Sequence, residues 1–169
     1  MKTIFVSSTF RDFQQERDAL HDRILPVLNA QSRRYGEEVS FCDLRWGVDT
    51  SNEKDEEESS AKVLSVCMNE IDRSRPYMLV LLGERYGFMP GEAAIGHEAV
   101  RKDMELEQLE ISVTALEVEY GALSDPATLS NTWFYFRELS SEGTLPPEFL
   151  PESREHERKL SHLKERIHL

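Results

Sequence analysis

The sequence predicts an open α/β fold, a parallel sheet with helices on both faces. Three features carry that prediction. Short β-branched or aromatic runs alternate with amphipathic stretches of helical length. One run, Tyr77-Met78-Leu79-Val80-Leu81-Leu82, is apolar throughout, as a central strand covered on both faces requires. Polar or glycine-bracketed loops follow the strand-like runs, and the spacing suits right-handed βαβ connections.

Each element has a local reason. Thr3-Ile4-Phe5-Val6 reads as the first buried strand, ended by Ser7-Ser8-Thr9. Arg11 to Arg34 reads as a helix with Phe13, Leu20, Ile24, Val27 and Leu28 on one inward face. Pro26 should kink it and Gly36 should stop it. Val39-Ser40-Phe41-Cys42-Asp43-Leu44 is the second strand, and Arg45-Trp46-Gly47-Val48-Asp49 the loop that leaves it. Thr50 to Ser60, with Glu53, Asp55, Glu56, Glu57 and Glu58, lacks the ligand order of a calcium loop and reads as solvated chain or a frayed helix start. Ala61 to Arg73 is an amphipathic helix. After the third strand, Val100 to Leu109 suits a short charged helix, and Ser112 to Leu123 a further helix capped by Ser112 or Thr114. Trp133-Phe134-Tyr135-Phe136 is the fourth strand. The organisation expected is an α/β domain over 1–140, a Pro-rich connector over 141–152, and a charged helix over 153–169 that leads to further domains of a longer chain.

A formal net charge of -12 opposes a nucleic-acid surface or docking on anionic lipid. No apolar run has the length of a membrane helix, and the start of the chain does not resemble a signal peptide. Cys42 and Cys67 lie in apolar segments and read as reduced core thiols, so a cytoplasmic location is expected. Phosphate-loop, nucleophile-elbow and zinc-protease patterns are absent from the sequence, which leaves metal chemistry without a ligand set.

Ligands of open α/β sheets bind beyond the carboxyl ends of the strands. That rule selects Ser7, Ser8, Thr9, Phe10 and Arg11 after the first strand, Asp43, Arg45 and Trp46 after the second, and Gly83, Arg85 and Tyr86 after the third. Hydroxyls and backbone N–H groups there suit phosphate, Trp46 suits a base, and the arginines suit a diphosphate. Glu117 and Glu119 are the candidate reactive carboxylates. Two residues apart on a helix, they diverge, so only one can face the crevice. A lone carboxylate can stabilise an oxocarbenium-like centre or attack a sugar carbon, and burial would raise its pKa.

The segments Phe5-Val6-Ser7-Ser8-Thr9-Phe10-Arg11-Asp12-Phe13, Asp43-Leu44-Arg45-Trp46-Gly47-Val48, Leu82-Gly83-Glu84-Arg85-Tyr86-Gly87 and Thr114-Ala115-Leu116-Glu117-Val118-Glu119-Tyr120-Gly121 together resemble a particular family. It is the TIR-like domain at the N-terminus of STAND ATPases, found in nephrocystin-like and telomerase-component-like proteins and in bacterial relatives. The resemblance spans roughly residues 2 to 167 and implies a flavodoxin-like fold. It further implies a defence-type signalling or effector domain that cleaves NAD or a related nucleotide when oligomerised, or else a non-catalytic adaptor for self-association. NAD would be substrate, with no resident cofactor. The partners implied are like domains and the NACHT-type switch and repeat domains of a parent chain. A Thr-x-x-Glu spacing shared with nucleoside deoxyribosyltransferases puts the reactive acid at Glu117, with Glu119 second.

Overall fold

A computed structural model describes residues 1–44, 56–139 and 145–168. Its centre is a parallel sheet of β1 (Lys2–Ser8), β2 (Val39–Cys42), β3 (Met78–Leu82) and β4 (Thr132–Phe136), in the order β2-β1-β3-β4. Phe5 pairs with Cys42, the last residue of β2, on one side and with Met78, the first of β3, on the other, and Ser8 pairs with Leu81, so β1 and β3 end side by side while β2 stops earlier. The open α/β prediction is met.

The helices are α1 (Gln14–Ala19), α2 (Leu25–Ser32), α3 (Glu56–Ser74), α4 (Glu92–Arg101), α5 (Val113–Val118), α6 (Pro126–Leu129) and α7 (Arg154–Ile167). Strand alternation divides the core. Phe5, Met78, Val80 and Leu82 pack beneath α3, α5 and α7, through Leu64, Leu116 and Leu160 among others. Fully burying an aliphatic or aromatic side chain of this size contributes about 1.5–3 kcal/mol, so this larger core dominates the stability. Val6, Leu79 and Leu81 form a smaller cluster on the opposite face, with Phe13 from the segment before α1. No helix among the described residues is long and apolar enough to cross a membrane.

The first helical segment differs from its prediction. It begins at Gln14, and a π-turn over Leu20–Ile24 separates α1 from α2. Pro26 sits in the first turn of α2, where its missing N–H costs least. Gly36 does end the segment, in the left-handed conformation. Ile24 and Val27, expected inward, are exposed. The cause lies on the sheet face beside them. Trp133 (49% exposed) and Tyr135 (59%) remain uncovered next to Leu79 and Leu81, and an apolar groove of about 530 Å³ runs between this face and the Leu20–Leu28 side of the helical segment.

Two further boundaries move. The helix expected over Val100 to Leu109 is instead α4, which starts after Gly91 and buries Ala94, Ile95, Glu98 and Ala99 at helical spacing. Gly96 sits within it without breaking it, because the remaining turns are held by that packed face. β2 stops at Cys42, and Asp43 and Leu44 already belong to the loop.

Two glycines test this packing in opposite directions. A Cβ on Gly121 would lie 2.7 Å from the Met78 sulfur and 3.2 Å from Ile71 Cγ2, whereas one on Gly96 meets only Leu109 Cδ1 at 3.8 Å. Gly121→Ala should lower unfolding free energy by about 1–2 kcal/mol, because overpacking exceeds the helix-propensity gain. Gly96→Ala should raise it by about 0.5–1 kcal/mol. Urea unfolding of the two variants measures both.

Candidate functional site

The carboxyl ends of β1 and β3 and the start of α5 enclose a pocket of about 420 Å³. Ser8, Thr9, Phe10 and Arg11 enter it after β1, Leu44 after β2, and Arg85, Gly87 and Phe88 after β3. Val63 and Cys67 of α3 and Val113, Thr114 and Glu117 of α5 close the inner side, and Glu152, just before α7, closes the rim.

Glu117 is the acid of this pocket. Ser112 caps α5 by accepting the Ala115 N–H, which fixes where the helix starts and which side chains turn inward. Thr114 and Glu117, one turn apart, both line the pocket. The Glu117 side chain is only 6% exposed, and Ser7 Oγ donates to its Oε2 at 2.6 Å. Burial pushes its carboxyl up to about 7, against the pull of the Ser7 hydrogen bond, the Cys67 thiol and the Arg17 guanidinium. The Cys67 thiol is itself held protonated, driven far upward by burial and by the neighbouring Glu117 charge. Cys67 therefore acts here as a weak donor and an apolar wall, not as a nucleophile.

Behind the pocket lies a charged cluster centred on Arg17, a residue not among the predicted site residues. Arg17 of α1 is 2% exposed. Its Nε donates to Ser8 Oγ at 2.8 Å, its Nη2 to the Ser8 carbonyl at 3.1 Å, and its Nη1 to Asp43 Oδ1 at 2.6 Å. His21 approaches the other Asp43 oxygen at 3.3 Å, and the Phe10 ring lies 4.7 Å beneath the guanidinium. Arg17 stands in Glu16-Arg17-Asp18, a segment that also carries the family resemblance, but a cation on an amphipathic helix reads on its own as surface. Thr114, Phe88 and Glu152 were also not selected. Glu152 is 65 residues along the chain from Gly87, whose N–H it accepts, so no local pattern joins them.

The remaining predicted residues fall elsewhere. Glu119 points away from the pocket into a bidentate ion pair with Arg166 of α7. Asp43 is buried against Arg17 and positions the strand ends without lining the pocket. The Tyr86 ring is buried in the core against His156, 5.7 Å between centroids, and only its backbone N–H turns to the rim. Gly83 lies against Asp12, where a Cβ would stand 2.7 Å from Oδ2. Thr9 donates to the second Asp12 oxygen at 2.5 Å, and Arg137 donates to the Asp12 carbonyl, so this cluster braces the β1 loop. Arg45 and Trp46 lie outside the described residues.

Comparison with known proteins gives a family but no solved relative. The family described as domain of unknown function (DUF4062) matches residues 3–167. The chain is 32% identical to telomerase protein component 1 of Mus musculus over 98% of its own length, and 31% identical to the Rattus norvegicus protein of that name over 95%. It is 37% identical over 53% of its length to a TPR repeat-containing protein of Dictyostelium discoideum. It spans about 6% of the length of the two telomerase components and 5% of the TPR protein. No solved structure matches it.

The raised carboxyl of Glu117 has a thermodynamic signature. Its folded-state pKa, about 7, lies above its ordinary 4.5. Between those values the folded protein holds a proton that the unfolded chain releases, so stability falls as pH rises through this window and levels off above it. Relative to Glu117→Gln, the wild type should lose up to about 3 kcal/mol between pH 4.5 and 7. Denaturant midpoints of both proteins across that range measure the difference.

Proposed function

The chain belongs to the DUF4062 family, and we propose that within it this domain is a nucleotide-processing effector that cleaves the nicotinamide–ribose bond of NAD or a related nucleotide when brought together with its own kind. The observation that carries the reading is Glu117: a buried carboxyl, hydrogen-bonded by Ser7 and opening into a pocket at the strand ends. In such a reaction nicotinamide departs as a neutral molecule from a cationic pyridinium. The electron deficiency passes to the ribose carbon, where an ionised carboxylate stabilises it or adds to it. Water completes hydrolysis, giving ADP-ribose and a proton. Phe10, Phe88, Val63 and Val113 supply apolar walls for a ring, and Arg11 and Arg85 supply cations for phosphate. The TIR-like resemblance and the Thr114–Glu117 spacing support the same chemistry. Clustering through the domains of a longer parent chain, of STAND type in this reading, would raise the local concentration of sites.

A specific observation favours a second reading, a protein-interaction module without turnover. The exposed Trp133 and Tyr135 of the edge strand β4, beside the apolar groove, form the kind of surface that protein partners cover. The TPR-containing relatives fit an assembly role as well.

An NAD-consumption assay on artificially clustered domain separates the two. The effector reading expects turnover that rises as pH passes about 7, where Glu117 becomes the carboxylate. Glu117→Gln should reduce it by about 10²–10⁴-fold, while Glu119→Ala, remote from the pocket, leaves it near wild type. Absence of turnover in every clustered form would leave the interaction module.

A further inference from the structure

The rim of the Glu117 pocket holds an arrangement built for an anion, and the chain itself supplies the anion. Glu152 Oε2 accepts the Tyr86 N–H at 3.1 Å, and Oε1 accepts the Gly87 N–H at 3.1 Å. Arg85 Nη2 lies 3.1 Å from Oε1, and Arg85 Nη1 donates to the Leu150 carbonyl at 3.2 Å. Two successive backbone donors and a guanidinium thus converge on two oxygens of one carboxylate. Successive N–H groups of this kind form a concavity that suits the oxygens of phosphate as well as those of a carboxylate. Gly87 makes the concavity feasible. Its φ is +96°, and a Cβ there would meet Thr9 Cγ2 at 2.9 Å.

Two features distinguish this contact from an ordinary loop brace. The first is location, since Glu152, Arg85 and Gly87 line the same pocket as Glu117 and Arg11. The second is how Glu152 is held. Its side chain is partly exposed, and it is carried by the segment between Pro146 and α7, not by the core. Burial opposes its charge, yet its own backbone N–H, the Tyr86 and Gly87 N–H groups and Arg85 hold its carboxyl below the usual range, so it occupies the concavity as an anion. His156, in the first turn of α7, lies 3.5 Å from the docked carboxylate through Nδ1.

We propose that Arg85 and the Tyr86 and Gly87 amides form a binding site for a phosphate or diphosphate group, and that Glu152 is its internal occupant, displaced when ligand enters the pocket. The α7 side of the chain then acts as a built-in competitor, which lowers affinity until the segment is drawn away. The inference rests on the proposed nucleotide-processing reading only for the source of the phosphate.

The test is calorimetric titration of the purified domain with pyrophosphate, with ADP in parallel. Glu152→Gln and Glu152→Ala should bind pyrophosphate about tenfold more tightly than wild type, and adding Arg85→Ala should remove the gain. Amide resonances of Tyr86 and Gly87 should shift on titration. Glu152→Gln keeps the side-chain shape and carries the test if Glu152→Ala fails to fold. Tighter binding of ADP than of pyrophosphate identifies a nucleotide as the source, and equal binding identifies the inorganic anion. Unchanged affinity in folded Glu152→Gln, or unmoved Tyr86 and Gly87 amides, overturns the proposal. Gain in pyrophosphate affinity without NAD turnover would sink the glycosidase reading and leave this site standing. NAD turnover without that gain would do the reverse.

Discussion

A guanidinium held out of water organises the strand-end edge of this molecule. Arg17 ties α1 to β1 through Ser8, and to the end of β2 through Asp43. Burying such a pair is costly unless its geometry and hydrogen bonds are good, and removing one partner would strand the other charge in the interior. Strand alternation then divides the work of two neighbouring serines. Ser8 turns to the Arg17 side of the sheet, and Ser7, one residue earlier, turns to the opposite side and meets Glu117. The clamp on Ser8 therefore also sets the height at which Ser7 presents its hydroxyl. Arg17 reaches Glu117 electrostatically as well, moderating the upward pull of burial.

The same edge explains how a chain of net charge -12 can offer a site for an anionic ligand. Arg11 and Arg85 stand at the pocket and Arg17 behind it, while acids such as Glu119 are engaged elsewhere. Local field, not net charge, governs what enters a cleft. Besides the buried Glu117, Glu152 also lines the cleft, and it pairs with Arg85 there. A pocket closed by its own carboxylate is one whose affinity can be set from the α7 side, at a distance from the reacting atoms.

Much of this was legible in the residues. The apolar run of β3 and the aromatic run of β4 announce themselves by composition, and Ser8, Thr9, Phe10, Arg11 and Arg85 follow from the rule that ligands gather beyond strand ends. The choice between Glu117 and Glu119 needed coordinates. Helical rotation says that they diverge, but only the Ser112 cap and the Arg166 pair decide which one turns inward. Arg17 and Glu152 were invisible for a different reason. Arg17 bonds to Ser8, 9 residues away, and Asp43, 26 away, and Glu152 to Tyr86, 66 away, and charged residues on helices or in proline-rich segments are ordinarily solvated. Exposure of Ile24 and Val27 was equally hidden, since periodicity marks an apolar stripe without saying whether anything covers it.

The chemistry proposed at the pocket requires Glu117 to be a carboxyl shielded from water yet poised near neutrality. Its side-chain carboxyl carbon resonance, assigned by comparison with Glu117→Gln and followed by NMR across pH 3 to 9, measures that directly. A midpoint close to about 7 is predicted. A midpoint near the ordinary 4.5 would mean a solvated surface acid, and the proposed chemistry at the pocket would have no reactive group.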